Sequence, residues 1–341
     1  MRVIGITSYS APSEYQSYEQ PKPEHKKQTN IIIKVHAASI NPIDVKKAND
    51  ALKRVLEISF PYQIAHDCAG TVPEIGSRVT RCKIGDATGS WSEYVICSEE
   101  NLALKPPSLS FADAASLPLA ALTALQALRK FDGELSGKPA FIRAGLSGTG
   151  SYACQLAKNV FKSGKVITTV STSKIPKVKG LLGDSTVGQR REDPKAVLPN
   201  HSVDFLFDTV GLSTECLPLS RPGGCIISIS TLPPAISVYV RMALNLRDFV
   251  CKMWAQWQSV PYEYIWTDPN GDDLDMLSRW VEEGIVKPVV GNSVGFYDIE
   301  AVRQPCQVVY DDQSLGGREF IQWVKPKLSQ DRKSGLGRGQ S

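Results

Sequence analysis

The chain has 341 residues, 42% of them apolar and 22% charged, with a formal net charge of +4. That length accommodates two lobes, and the composition is that of a globular protein. The weak positive balance, with no basic stripe interleaved with aromatics, argues against a nucleic-acid binder, and the low-charge stretch CIISISTLPPAISVYV, broken by Pro233 and Pro234, is too short for a membrane span.

MRVIGI opens the chain as a strand, with no apolar signal core and no cleavage motif. NIIIKVHAAS is a β-branched strand, and QIAHDCAGTVPEIG is another that ends at a Pro/Gly turn. WSEYVICSEENLALKPPSLS closes this β-rich region with a short strand and a proline-rich break. FADAASLPLAALTALQALRKF then predicts helix, with Asp113 near its start.

From Pro139 the pattern alternates. PAFIRAG predicts a strand, SGTGSYACQLAKNVF a helix that opens on glycines, KVITTVS a strand, and IPKVKGLLG a short helix. VDFLFDTVG and GCIISIS are two further apolar strands. Such alternation predicts an α/β fold with a doubly wound parallel sheet and helices on both faces. YVRMALNLRDFVCKMWAQW is amphipathic and mostly helical, and DDLDMLSRWVEEGIV is a helix with acids at its start and Gly284 near its end. KPVVG and FIQWVKP read as strands that return the chain to its first lobe, and DRKSGLGRGQS reads as a disordered tail. The eight cysteines are scattered without a CxxC pair, which fits a reducing, cytoplasmic setting better than a disulfide framework.

The most informative stretch is AFIRAGLSGTGSYACQLAKNVF. A strand enters a turn containing Gly145, Gly148 and Gly150, and a helix and a second strand follow. Glycines let the backbone approach a diphosphate, whose charge sits well at a helix N-terminus. A plain helix-start turn is the alternative. NAD-selective sites place an acid at the end of the second strand, whereas VSTSKIPK has none. Ser171, Thr172, Ser173, Lys174 and Lys177 instead offer hydroxyls and positive charge to a 2′-phosphate, so NADPH is expected over NADH. A solvated lysine turn is the alternative.

In order along the chain, ASINPIDVK, AHDCAG, IGSRVTRCKIGD, WSEYV, ASLPLAALTALQAL, AGLSGTGSYACQLAK, VDFLFDTVG and RPGGCIISIS resemble the medium-chain dehydrogenase/reductase superfamily. The likeness is to its zinc-free quinone oxidoreductase and enoyl reductase branch, with the flavour of fungal dehydrogenases from secondary-metabolite clusters. It implies a GroES-like catalytic domain over 1–115 and 287–328, a Rossmann nucleotide-binding domain over 116–286, and a tail over 329–341.

By the same likeness Ser147, Gly148, Thr149 and Gly150 would hold the diphosphate, and Thr123 and Asn41 would face the nicotinamide side. Gly211 and the run from Ser228 to Thr231, Ser230 included, would line the cofactor. Each has a structural alternative: turn glycines, a helix hydroxyl, a residue before Pro42.

A zinc-free member is expected to transfer hydride from reduced nicotinamide to a small apolar quinone or activated alkene. The developing oxyanion needs a hydrogen-bond donor, for which Asn41 is a candidate and Tyr62 a weaker one; water can supply the proton. The segment from Pro233 to Trp257, with Met242, Met253, Trp254 and Trp257, offers substrate pocket, homodimer interface or core. Against the family pattern the loop after Gly85–Asp86, the stretch GLLGDSTVGQRREDPKAV and the loop after SISTLPP are short, and Ala65 stands where glycine is usual. If the strand usual after Gly183 is missing, the sheet loses an element and NADPH affinity would be low. That shortening motivates a rival reading, a non-catalytic NADPH-binding or scaffold protein.

YQIAHDCAG sets His66, Asp67 and Cys68 side by side. In the zinc-dependent relatives this histidine is one metal ligand and cysteines supply others. Here Asn41 and the run Leu119, Ala120, Ala121 occupy the corresponding places. One imidazole without thiolate partners makes no tetrahedral site, so a zinc alcohol dehydrogenase is disfavoured. His66 is expected near the cleft as a hydrogen-bonding residue, and Asp67 is expected to tie its strand to its neighbours.

Overall fold

The computed structural model describes residues 1–25, 27–50, 52–53, 56–64, 67–88, 93–182, 187–189, 194, 198–211, 216–229, 246, 249–250, 253–254, 256–312 and 321–324. His66, Ser230, Thr231 and the tail over 329–341 lie outside these residues, as does Met242.

The first lobe is built on β-branched sequence. β1 (Arg2–Ile6) is flanked by β2 (Gln16–Glu19) and β4 (Tyr62–Gln63) in a small antiparallel sheet. β3 (Asn30–Ile40) is the spine of a larger sheet and pairs antiparallel with β5 (Asp67–Ile75) and with β7 (Tyr94–Ser98). β6 (Ala87–Thr88) extends the β5 side. β14 (Asn292–Gly295) and β15 (Ile321–Val324) return from late in the chain, with β15 on β3. α1 (Pro42–Ala48) leaves β3 through Asn41. α7 (Ile299–Asp312) packs near α1, and Val302, Cys306 and Val309 join Ile31, Ile33 and Val45 in one core.

The second lobe is a six-stranded, wholly parallel sheet. Its strands are β8 (Pro139–Ile142), β9 (Lys165–Val170), β10 (Val187–Gln189), β11 (Val203–Asp208), β12 (Ser220–Ser228) and β13 (Tyr262–Tyr264). Their order is β10-β9-β8-β11-β12-β13. The chain starts in the middle at β8, winds one way, then crosses to the other side at β11, which leaves a switch point between those two strands. On one face α3 (Pro118–Arg129), α4 (Gly148–Asn159), α5 (Ile175–Leu182) and α6 (Gly271–Glu282) contribute to a core with Ala140, Ile142, Phe205 and Phe207. Phe141, Ile167 and Leu206 point to the other face.

One open question is answered and three expectations need correcting. The strand in question after Gly183 is present: β10 pairs with β9 through Val187–Gln189, so the sheet keeps its third winding element. The helix predicted from Phe111 is two helices, α2 (Phe111–Ala115) and α3, because Pro118 has no N–H to donate one turn back and its ring crowds the carbonyl there. Leu246, Phe249, Val250, Met253 and Trp257 are exposed, Trp257 at 78%, so core is not their role; Trp254 alone of the described residues there packs on the sheet.

KPVVG, finally, is not a strand. Its backbone is held by side chains of α4 instead. Gln155 donates through Nε2 to Lys287 O at 3.0 Å and accepts from Lys287 N at 2.7 Å. Asn159 Nδ2 donates to Ile285 O, and Val289 N donates to the Tyr152 hydroxyl. Residues 152, 155 and 159 lie on one helical face. Three polar side chains therefore replace a neighbouring strand.

The lobes are also joined by Arg81, whose guanidinium forks onto Asp272 at 2.6 Å and onto Asp275, both on α6. Glu99 fixes the base of that fork by accepting from Thr80 N and Arg81 N.

The α4 clamp makes a prediction. Gln155→Ala removes two part-buried hydrogen bonds to the Lys287 backbone and is expected to cost about 2 kcal/mol. Gln155→Glu, which keeps the acceptor, is expected to cost less. Urea denaturation checks this, and an unchanged midpoint for Gln155→Ala refutes the clamp.

Candidate active site

The site grows from one carboxylate. Asp67 starts β5, is 2% exposed, and spreads its two oxygens over three elements. Oδ2 accepts from Ser39 Oγ at 3.2 Å and from Asn41 Nδ2 at 3.0 Å. Oδ1 accepts from Leu119 N at 2.9 Å. α3 carries no side-chain cap of its own, since Leu117 stands at the capping position. Asp67 therefore caps α3 from another lobe, where its negative charge suits the helix N-terminus. The expectation that Asp67 ties its strand to its neighbours matches this geometry.

Asn41 is 3% exposed, and its amide hydrogens are directed at Asp67 and at Ser39 Oγ, 3.2 Å away. Its backbone N–H donates to Asp44 Oδ2 at 2.7 Å. The donor role expected of Asn41 toward a substrate oxygen is thus not one these hydrogens are arranged for. Tyr62 lies on β4, in the smaller sheet. Burial and then Asp44 push its phenol well above the ordinary tyrosine range, so it stays protonated. Asp44 is the group that relates Asn41 and Tyr62. Burial likewise raises the Cys68 thiol well above its usual range, so the thiol stays protonated. Among the described residues no group of three or more His, Cys, Asp or Glu could hold a metal ion.

One turn along α3, Thr123 Oγ1 donates to Leu119 O at 2.6 Å and shares a hydrogen bond with Thr267 Oγ1. Thr267 follows β13 in the parallel sheet. A continuous polar chain therefore runs from Asp67 through Leu119 and Thr123 to Thr267. The sequence reading found Thr123 and Asp67 but did not single out Ser39 and Asp44 within ASINPIDVK, and it missed Thr267, which lies in no quoted motif.

The other half of the site is the carboxyl edge of the parallel sheet. β8 gives way at Arg143 and Ala144 to the glycine turn, and α4 begins at Gly148. Ser147 caps α4 by accepting from Gly150 N at 3.1 Å. A side chain at Gly150 would strike Ala144 O at 2.2 Å, so the turn and the helix approach each other through a glycine. Gly148 and Thr149 stand in the first turn, where N–H groups have no intrahelical acceptor. The residues present fit a diphosphate: a turn closed by a glycine approach, and open donors at the start of a twelve-residue helix.

At the end of β9, Ser171 opens a turn closed by Lys174 N donating to Ser171 O at 2.8 Å. Ser173 and Lys177 are exposed and Lys174 is half-buried. At the end of β11, Asp208 Oδ1 accepts from Val210 N and Gly211 N, and Gly211 adopts φ +82°. Ser147 to Gly150, Ser171 to Lys174, and Gly211 therefore share one sheet edge. Thr123 lies on α3 beside it; Asn41 and Tyr62 belong to the first lobe.

The Alcohol dehydrogenase GroES-like domain family matches residues 27–107. The chain is 31% identical over 315 residues to 2-methylene-furan-3-one reductase of Solanum lycopersicum, covering 83% of this chain and 73% of that protein. It is 31% identical over 281 residues to the chloroplastic NADPH-dependent alkenal/one oxidoreductase of Arabidopsis thaliana, covering 77% of this chain and 65% of that protein. The quinone oxidoreductase structure from Coxiella burnetii superposes with a TM-score of 0.77 at 27% identity, covering 95% of this chain and 99% of that one. With its two lobes, its switch-point crevice and these relatives, the chain belongs to the medium-chain dehydrogenase/reductase superfamily, as an oxidoreductase of its quinone oxidoreductase and enoyl reductase branch.

Proposed function

We propose that the protein is a zinc-independent, NADPH-dependent reductase of small apolar quinones or activated alkenes. The observation that carries the cofactor choice is the end of β9, where hydroxyls and lysines stand and no carboxylate does. A carboxylate there would bond ribose hydroxyls and repel a 2′-phosphate. Ser171, Ser173 and Lys174 would bond that phosphate, while Ser147, Gly148, Thr149 and Gly150 would hold the diphosphate. Thr123, Gly211 and Ser230 would complete the cofactor's contacts. The relative from Arabidopsis thaliana is named as NADPH-dependent, which supports the same reading.

Reduced nicotinamide, when bound, would supply a hydride for the β-carbon of an enone or for a quinone, and one proton from water would complete the saturated ketone or hydroquinone. The chain's part is placement. Asp67 holds Asn41, Ser39 and the start of α3 in one arrangement, so Asn41 acts as a positioning residue for the cleft. Tyr62, kept protonated, is the phenol available as a hydrogen-bond donor. Described cysteines carry free thiols, which supports a reducing compartment such as the cytoplasm. Among the described residues no helix is long and apolar enough to cross a membrane. A second copy of this chain is the proposed partner, and sedimentation equilibrium tests that homodimer.

Isothermal titration is expected to give a Kd for NADPH about tenfold or more below that for NADH, as one charge-assisted phosphate contact would provide. Lys174→Ala is expected to remove most of that difference without changing NADH affinity. Equal affinities in the native protein sink the NADPH preference. NADPH oxidation should follow addition of phenanthrenequinone or a simple enone; saturable binding without turnover on any quinone or enone would favour the scaffold reading.

Asp67→Asn swaps a charged acceptor for an amide that matches only part of its bonds. It is expected to lower kcat/KM about tenfold or more, with a small change in Kd for NADPH. An equal loss in cofactor affinity would show that Asp67 does not act on the substrate side.

A further inference from the structure

We propose that the exposed stripe from Leu246 to Trp257, together with the groove that follows it, is the surface on which a second copy of this chain docks. Trp257 of each copy would seat in the groove of the other. This rests on the second-copy partner proposed above.

The stripe follows from helical period. Leu246, Phe249, Val250, Met253 and Trp257 recur at spacings of three and four, which sets them on one helical face. That face is turned outward, and each of the five exposes more than half of its surface. Trp254 lies off the stripe and packs, with Tyr262, against the core that holds Phe141, Val203 and Leu206. The sheet holds the helix from one side, and the apolar side faces solvent.

The chain just past Trp257 supplies a counterpart. Gln256, Ser259, Val260, Pro261 and Tyr262 line an open groove of about 450 Å³, and none of them is charged. Its backbone is fixed to β12: Gly223 N donates to Ser259 O at 3.2 Å, and Ile226 N donates to Pro261 O at 2.8 Å. Gln258 N and Ser259 N close the helix by donating to Trp254 O and Gln256 O. A groove held in this way loses little freedom when it is filled.

A projecting indole and a groove therefore stand side by side on one surface. A two-fold axis between them would place each indole in the other copy's groove, which is the self-complementarity an isologous dimer requires. Area argues the same way. Trp257 and Phe249 bare on the order of 300 Å² and the three aliphatic side chains about as much again, against about 800 Å² per partner in a standard interface. The groove walls make up much of the rest. Tryptophan, phenylalanine and methionine are also the residues that interfaces favour at their centres. A bilayer would take up the stripe and leave the groove unused.

Sedimentation equilibrium of the native protein is expected to show a dimer at micromolar concentration. Trp257→Arg and Phe249→Arg are each expected to raise its Kd about thirtyfold or more, as loss of an aromatic anchor does. Ser259→Trp fills the groove, leaves the stripe intact, and should raise the Kd about as far. Ile84→Arg, at an apolar residue exposed on the first lobe, is the control and should stay within about twofold. Unchanged circular dichroism verifies that each exposed substitution leaves the fold in place. A dimer that no stripe or groove variant weakens overturns the inference but spares the second-copy reading. A dimer weakened by the stripe variants and not by Ser259→Trp overturns the seating of Trp257. A native protein that stays monomeric overturns both, and its flotation with phosphatidylcholine–phosphatidylserine vesicles would assign the stripe to a bilayer instead.

Discussion

A buried carboxylate cannot be left without donors, and Asp67 meets that demand by drawing on two lobes at once. Its partners are a serine and an asparagine from the end of β3 and the backbone of an α3 that has no cap of its own. Neither side is complete alone. The floor of the first lobe and the first helix of the second are therefore set relative to each other by a few ångströms of hydrogen bonding. Thr123 and Thr267 continue that linkage to the parallel sheet. In a metal-dependent relative a cation would organise such a corner; here an acid and three neutral donors do so.

The electrostatics divide along the same line. The open N–H groups of α4 and a hydroxyl and lysine turn stand at the carboxyl edge of the parallel sheet. In the first lobe burial raises the phenol of Tyr62 and the thiol of Cys68, so both stay neutral, while the buried Asp67 carboxylate is held by its donors. One edge offers donors to an anion, and the other confines its charge to carboxylates already bonded within the chain.

The alternating strands, the glycine turn and the acid-free end of β9 were legible because each depends on local sequence. Pro118 did carry a signal for its helix break, in the N–H it lacks, though alanines and leucines on both sides masked it. KPVVG misled for a physical reason. Its β-branched residues fit an extended backbone, but Tyr152, Gln155 and Asn159 supply the partners, and their spacing looks like any helical face. β10 was hidden because three residues within a polar stretch give no period. Asn41 was readable as a polar residue at the site, but not that Ser39 and Asp67 use its hydrogens, because that depends on pairing across β3 and β5.

The late return of β15 has a consequence for synthesis. Ala37 to Ser39 of β3 pair on one side with β5, and Ala37 to Ile40 pair on the other with Ile321–Val324, nearly three hundred residues further on. While the chain emerges, that stretch of β3 is a bare apolar edge, open to any neighbouring strand until the parallel-sheet lobe has been made and passed. The α4 clamp on Ile285–Val289 then directs the late segment back toward its place. The inserted lobe thus serves the earlier one as a template, and chains stopped between the two would be the aggregation-prone species.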